Sequence, residues 1–112
     1  MTTLFASALK VCGLSHTEAA DYLSARLDTV KSWASGRRTV PDGVWDQLRG
    51  LYAQQIDAAE QALELIDESG ADEISPKLAG PRKKQWPSDG AHAAALAHVA
   101  LSSELPIRDD DN

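Results

Sequence analysis

The segment of residues 14–36, LSHTEAADYLSARLDTVKSWASG, constrains the fold of this chain most, because it has the pattern of two short helices joined by a tight turn. The first helix is predicted to begin at Ser15, since a Ser-x-x-Glu sequence lets Ser15 and Glu18 cap each other's free backbone N–H groups. The second helix is predicted to run from about Arg26 to Ser35. The segment therefore predicts a helix-turn-helix.

The apolar residues of this segment predict how its two helices pack. Helices that cross steeply over a short turn need a small side chain at the crossing, and Ala20 provides one. The residues expected to converge into one small core are Ala19, Leu23, Ala25, Val30 and Trp33. The residues then left pointing outward are polar and mostly short: Arg26, Asp28, Thr29, Lys31 and Ser32.

At these residues the sequence resembles the lambda-repressor-like helix-turn-helix family of phage repressors, Cro proteins and small bacterial regulators. That family has an alanine at the crossing, a glycine that opens the turn, and a glycine, basic residues and a proline after the second helix. Here those places hold Ala20, Ser24 and the run GRRTVP from Gly36 to Pro41. Serine in place of glycine implies either a turn without positive φ or a strained one. The resemblance covers residues 3–53, and WASGRRTVPDGV more narrowly resembles small regulators that repress anti-CRISPR operons in phages and mobile elements.

The resemblance implies a sequence-specific DNA-binding regulator, a homodimer that represses its own operon and reads two half-sites in double-stranded DNA. The residues expected to contact bases are Arg26, Asp28, Thr29 and Ser32. The residues expected to contact phosphates are Lys31, Ser35, Arg37, Arg38 and Thr39. Two alternatives stay open: Asp28 has a structural role if it only stabilises the start of its helix, and residues 36–41 are a solvated basic loop if they contact no phosphate.

Charge is divided unevenly along the chain. The 17 acids and 11 bases give a net charge of −6 at pH 7, although a DNA-binding surface is expected to be basic. Residues 1–53 carry six bases and five acids, a net charge of +1, whereas residues 54–112 carry five bases and twelve acids, a net charge of −7. The acidity therefore lies outside the predicted DNA-reading segment.

The first helix is predicted over residues 3–12, capped by Thr2 or Thr3 and ended by Gly13. Cys12 lies on its apolar face and is expected to be a buried thiol. As the single cysteine it excludes an internal disulfide and a cysteine zinc site. The chain shows neither the basic leader of a signal peptide nor an apolar run of membrane-spanning length, so we expect a cytoplasmic location without membrane contact.

A long helix is predicted after Pro41, with Asp42 as its N-cap and an apolar pattern that continues to about Glu68. At about 27 residues it would be roughly 40 Å long, more than the small N-terminal core can cover. Its first part is expected to complete that core through Trp45, Leu48 and Tyr52. Its second part carries a heptad seam, defined as Tyr52, Ile56, Ala59, Leu63 and Ile66. Either the same helix of a second copy or the chain's own C-terminal segment can bury this seam, and we expect the second copy to contribute more.

The remainder of the chain predicts a linker and one further helix. Residues 70–90 are rich in proline and glycine and predict an irregular crossing segment. Its basic run Arg82, Lys83 and Lys84, beside Trp86, is either a second phosphate contact or a solubilising run next to an anchoring indole. A last helix, capped by Ser88 or Asp89 and ending near Ser103, is expected to pack on the long helix of its own or of the partner subunit.

The predicted fold is thus all-α, with a helix-turn-helix domain over 1–53, a helical extension and dimerisation region over 54–105 and a disordered acidic tail over 106–112. No histidine pair has the spacing of two metal ligands on one helix face, and no glycine-rich phosphate loop follows a strand. We therefore predict no enzyme activity, no cofactor and no catalytic or metal-binding residue. Two other classes stay open: a helix-turn-helix that binds a protein, as in an antitoxin-like component or adaptor, and an acidic helix that mimics DNA.

Overall fold

The protein is described from a computed structural model over residues 3–70 and 86–103. These residues form five helices and no strand: α1 Leu4–Cys12, α2 His16–Tyr22, α3 Leu27–Ala34, α4 Asp42–Ser69 and α5 Asp89–Ser102. The predicted all-α class is confirmed. The predictions for Thr2, for Arg82, Lys83 and Lys84, and for the acidic tail over 106–112 lie outside the described residues.

The ends of α1 and α2 are set by local hydrogen bonds. The Thr3 side chain accepts a hydrogen bond from the Ala6 backbone N–H at 3.0 Å and caps α1. The Ser15 hydroxyl accepts from the Glu18 backbone N–H at 3.1 Å, and the Glu18 carboxylate accepts from the Ser15 N–H at 2.9 Å. This reciprocal pair is the predicted capping box, and it starts α2 at the residue after Ser15.

One hydrophobic core joins all five helices. It includes the predicted helix-turn-helix residues Ala19, Ala20, Leu23, Val30 and Trp33 together with Phe5 and Leu9 of α1. Trp86, just before α5, and Ala95 within α5 belong to the same core. The C-terminal helix therefore packs directly on the N-terminal ones.

The long helix begins one residue earlier than predicted. Pro41, with φ −63° and ψ 150°, is the N-cap, and Asp42 is the first helical residue. The extended backbone that proline favours suits the N-cap position, and an aspartate in the first turn is stabilised by the positive end of the helix dipole. The helix ends at Ser69, close to the predicted Glu68, and Gly70 follows in the left-handed conformation at φ 73°.

The buried face of α4 differs from the predicted one. Leu48 is buried as expected, but Trp45 is only half-buried and Tyr52 is 42% exposed. The residues that are buried on α4 are Val44, Leu48, Leu51, Gln55 and Ala59. Their spacings of four, three, four and four follow the period of a straight helix, whereas a strict heptad drifts around such a helix. Leu51, rather than Tyr52, therefore completes the core.

The chain's own C-terminal helix covers part of the heptad seam. Ala59 packs with Val99 of α5 in a second small cluster, where Leu63 and Ile66 are partly buried. The Tyr52 ring meets the His98 ring of α5 edge-on, with centroids 5.7 Å apart. Burial within the chain, one of the two ways expected to cover the seam, is therefore present at Ala59, and the larger contribution of a second copy stays a prediction. The homodimer itself stays a prediction.

No helix of the described residues is long and apolar enough to cross a membrane.

Candidate nucleic-acid interface

The turn between α2 and α3 is tight and places one non-glycine residue in the left-handed region. Ser24 has φ 54°, and it is the only non-glycine residue with positive φ within 3–70 and 86–103. The Ala25 N–H donates to the Ala20 carbonyl at 2.9 Å and closes the turn over the helix crossing. Of the two alternatives for this serine, the structure therefore has the turn with positive φ.

Replacing Ser24 with glycine is expected to raise the free energy of unfolding. The left-handed conformation costs a non-glycine residue about 1–2 kcal/mol, whereas glycine loses about 0.5–1 kcal/mol more backbone entropy on folding. We therefore expect a net gain of about 0.5–1 kcal/mol in urea denaturation. Ser24→Ala is the control, because alanine keeps the Cβ and should bring no gain; equal effects of the two substitutions would contradict the strain at this turn.

Helix α3 presents one buried face and one polar face. Val30 is fully buried and Trp33 is 8% exposed, as the sequence predicts. The predicted base-contacting and phosphate-contacting residues of the helix lie on the other side, three of them exposed and two half-buried: Arg26, Asp28, Lys31, Thr29 and Ser32. Arg26 is the N-cap residue but makes no capping hydrogen bond with its side chain. Asp28 lies in the uncapped first turn, where its charge also stabilises the helix.

Helix α1 holds α3 in place at two points. The Thr3 hydroxyl donates to the Ala34 carbonyl in the last turn of α3 at 2.7 Å. The Phe5 ring packs edge-on against the Trp33 indole at 5.7 Å and against the Trp45 indole at 5.9 Å between centroids. These contacts hold the second half of α3 against α1.

The loop after α3 is turned back over the end of the helix. Gly36 has the left-handed conformation, with φ 83°. The Gly36 N–H donates to the Trp33 carbonyl at 3.2 Å, and the Arg37 N–H donates to the Ser32 carbonyl at 2.9 Å. This pair of bonds is a Schellman motif, which terminates a helix through a left-handed residue. Because the chain turns back at Gly36, Arg37 and Arg38 lie directly beside the polar face of α3.

The Arg37 guanidinium is bound to hydroxyls of the same surface. Its Nη2 donates to the Ser32 Oγ at 3.3 Å, and its Nε donates to the Ser35 Oγ at 3.2 Å. The Ser35 hydroxyl in turn donates to the Ser32 carbonyl at 3.2 Å. The structure thus brings together a predicted base-contacting residue, Ser32, and two predicted phosphate-contacting residues, Ser35 and Arg37. No pattern in the sequence indicates these hydrogen bonds.

The basic residues of this surface form no ion pair with the described acids. Within residues 3–70 and 86–103 the one ion pair joins Arg49 to Asp46 at 3.4 Å, between two exposed side chains of α4. Four of the cations without an ion-pair partner in the described part of the chain lie at the start of α3, within it or in the loop after it: Arg26, Lys31, Arg37 and Arg38. We define these four residues, with Asp28, Thr29, Ser32, Ser35 and Thr39, as the α3 surface. It carries a local positive charge although the whole chain is acidic.

The acids of the second half of α4 lie far along the helix from its start, which follows the loop after α3. The five acidic residues of its second half are all exposed: Asp57, Glu60, Glu64, Asp67 and Glu68. Asp57 is fifteen residues after Asp42, which corresponds to roughly 22 Å along the helix axis. At physiological salt, charges separated by more than about 8 Å are largely screened from each other. The acidic half of α4 therefore changes the field at the α3 surface little.

Two buried or half-buried titratable groups outside the α3 surface have raised pKa values. Burial raises the pKa of the Cys12 thiol, which keeps it protonated and weakly nucleophilic at neutral pH. Burial, and then the charge of Cys12, raise the pKa of the Tyr22 hydroxyl. No group of three His, Cys, Asp or Glu side chains that could hold a metal ion occurs in the described part of the chain.

Comparison with known proteins gives no relative for this chain. No protein family matches it, and neither any curated protein nor any solved structure does.

One polar residue that the sequence analysis passed over is central to the packing. Gln55 is fully buried on α4, where its Nε2 donates to the Cys12 carbonyl at 3.0 Å and to the Ala91 carbonyl at 3.1 Å. Its Oε1 has no hydrogen-bond partner. The sequence does not indicate that Gln55 is buried. The preceding residue, Gln54, has the same side chain on the same helix and is exposed.

Proposed function

We propose that this protein is a sequence-specific DNA-binding regulator that inserts α3 into the major groove. The observation that carries the proposal is the α3 surface, where the polar face of a short helix adjoins four cations without ion-pair partners in the described residues. A helix presented by a tight turn and followed by a basic loop has the layout in which side chains reach base edges and phosphates together.

The residues of the α3 surface have separate roles in this proposal. Thr29 and Ser32 reach base edges from the middle of α3, Arg26 reaches a guanine or a phosphate from its start, and Asp28 accepts a hydrogen bond from a cytosine amino group. The residues that bind phosphates and set the position of the helix are Lys31, Ser35, Arg37, Arg38 and Thr39.

The proposal includes a homodimer that reads an inverted repeat and represses its own operon in the cytoplasm. Two α3 helices spaced by about 34 Å would enter successive major grooves on one face of the duplex. The seam residues Tyr52, Ile56, Leu63 and Ile66 are only partly covered within the chain, and Leu65 and Leu101 are 65% and 82% exposed. These apolar side chains leave surface on α4 and α5 for a second copy.

Binding to DNA is tested first with the purified full-length protein. Fluorescence anisotropy compares a duplex from the region upstream of its own coding sequence with an unrelated duplex, each at two salt concentrations. Specific binding at physiological salt is the expected result. Equal, weak binding to both duplexes would reject autoregulation.

Base reading is tested by Thr29→Ala and Ser32→Ala. Each substitution removes a side chain that the proposal places against base edges, so discrimination between the operator and single-base variants should fall by about 1 kcal/mol or more at one position. Competition with operators that carry single base-pair changes measures this preference. Thr17→Ala, at an exposed position of α2, is the control, and an unchanged base preference in both α3 variants would reject the assignment.

A second candidate function is supported by α4, which exposes five acids without an ion-pair partner in the described residues. In this alternative the acidic half binds a basic protein partner, as an antitoxin-like component, an adaptor or a DNA mimic does. The discriminating result is a stable heteromeric complex that forms equally well with the Arg37→Ala/Arg38→Ala variant. The proposal above predicts instead that this variant loses its binding partner, which is DNA.

A further inference from the structure

The end of α1 and the start of α5 meet backbone against backbone. A Cβ built on Gly13 would overlap the carbonyl group of Gly90 and lie 2.8 Å from the Ala91 nitrogen. A Cβ built on Gly90 would overlap the Gly13 carbonyl oxygen. The Ser88 hydroxyl, which caps α5, also donates to the Gly13 carbonyl at 3.3 Å. Both glycines are therefore required for this contact, which we call the α1–α5 joint.

Gln55 of α4 bonds both sides of the α1–α5 joint. Its amide NH₂ group donates one hydrogen bond to each side, to the Cys12 carbonyl at the end of α1 and to the Ala91 carbonyl in the first turn of α5. The last carbonyls of a helix have no partner within the helix, so the bond to Cys12 satisfies a group that would otherwise be buried without one. One side chain thus ties three helices together.

The opposite end of α1 carries the contacts that hold α3. Helix α1 has nine residues, so its two ends are only about 13 Å apart. At its N-terminal end, the Thr3 hydroxyl bonds the Ala34 carbonyl and Phe5 packs on Trp33. A short helix moves as a rigid body, so a shift of its C-terminal end at the joint is transmitted to the last turn of α3.

We propose that Gln55 is a positioning residue through which the docking of α5 sets the placement of α3 for DNA binding. The effect on DNA binding rests on the proposed function. The coupling between α5 and α3 does not, because it would exist in the protein without DNA. Gln55 touches no DNA in this arrangement and acts through α1. Burying an amide whose Oε1 has no hydrogen-bond partner is destabilising. Its two N–H bonds, however, specify one position of α1 relative to α5, which an apolar side chain would not do.

The test compares the full-length wild type with Gln55→Met and with the control Gln54→Met. Methionine has nearly the length of glutamine and cannot donate a hydrogen bond, and Gln54 is the exposed preceding residue of the same helix. Amide hydrogen exchange is measured without DNA, at a temperature at which melting curves show all three proteins to be folded. A residue that only stabilises the fold would lower the melting temperature without changing α3 selectively under these conditions.

Gln55→Met is expected to speed exchange in the last turn of α3 as well as in the first turn of α5, and Gln54→Met is expected to change neither. Faster exchange confined to α5 and the end of α1 would overturn the coupling, and so would unchanged exchange throughout. If Gln55→Met does not fold, Ser88→Ala, which removes the bond to Gly13 and the cap of α5, is judged by the same outcomes.

DNA affinity gives the second readout. Operator binding by Gln55→Met is expected to be weaker by about fivefold or more, the size of a typical coupling between distant sites, while Gln54→Met binds as the wild type does. Altered exchange in α3 with unchanged affinity would overturn the positioning role. If the wild type itself binds no operator, the proposed function fails, whereas the exchange result still decides whether α5 and α3 are coupled.

Discussion

Gly90→Ala is expected to lower the free energy of unfolding by about 1–3 kcal/mol, the usual cost of forcing a methyl group into filled space. The sign of this change in the free energy of unfolding is informative. Helix propensity alone would raise the free energy of unfolding, because alanine is a better helix former than glycine by about 1 kcal/mol in a helix interior. The added Cβ would overlap the Gly13 carbonyl oxygen, which is backbone and cannot rotate away as a side chain does. Helix α5 must therefore move off α1 for the alanine to fit.

Gly50→Ala is the matched control for this substitution. Gly50 also lies inside a helix, but no atom comes within 4 Å of a Cβ built there. We expect this variant to gain up to about 1 kcal/mol, because the helix propensity acts alone. Urea denaturation of both variants and the wild type measures the two changes. If Gly90→Ala shifted the midpoint in the same direction as Gly50→Ala, the α1–α5 joint would be contradicted.

The first three helices could be predicted from the sequence because local bonds determine their ends. Ser15 and Glu18 are three residues apart, and the capping box that they predict is present. Gly13 and Gly36 mark helix ends with positive φ, as glycine does after a last helical turn. Where a structural feature depends on neighbours along the chain, the residue types carry enough information to place it.

The packing of α4 could not be predicted in the same way, because it depends on a helix distant in the sequence. The heptad spacing of Tyr52, Ile56 and Ala59 does not distinguish a second copy of α4 from α5 of the same chain, since both offer apolar surface. The decisive residues are the small ones of α5, Ala91, Ala95 and Val99, which are buried against the N-terminal helices and α4. An alanine-rich helix carries a weak amphipathic pattern, so its buried face is not evident from sequence.

The α3 surface shows the same division between local and distant information. The exposed side of α3 follows from the spacing of Val30 and Trp33, and it was predicted. The hydrogen bonds of Arg37 to Ser32 and Ser35 depend on the path of the loop after Gly36, which sequence patterns describe only as a turn. The contact between Thr3 and Ala34 joins residues that are 31 positions apart, and no local pattern predicts it.

Arg37→Ala/Arg38→Ala is expected to weaken binding to operator and unrelated DNA alike. Hydrogen bonds to a charged group contribute about 1.5–3 kcal/mol each, so loss of both contacts should reduce affinity by at least about a hundredfold. Each phosphate contact also releases counterions, so the slope of log affinity against log salt should fall by about two. Anisotropy titrations at several salt concentrations measure both quantities.

Arg49→Ala serves as the control for the loss of positive charge, because Arg49 is also exposed but lies on α4 in an ion pair with Asp46. Its removal should leave the salt slope nearly unchanged if the contacts are local to the α3 surface. A slope that falls equally in both variants would mean that net charge, rather than the loop beside α3, drives association. An unchanged slope in the double variant would instead remove Arg37 and Arg38 from the interface, since a guanidinium that neutralises a phosphate cannot be deleted without changing the number of counterions released.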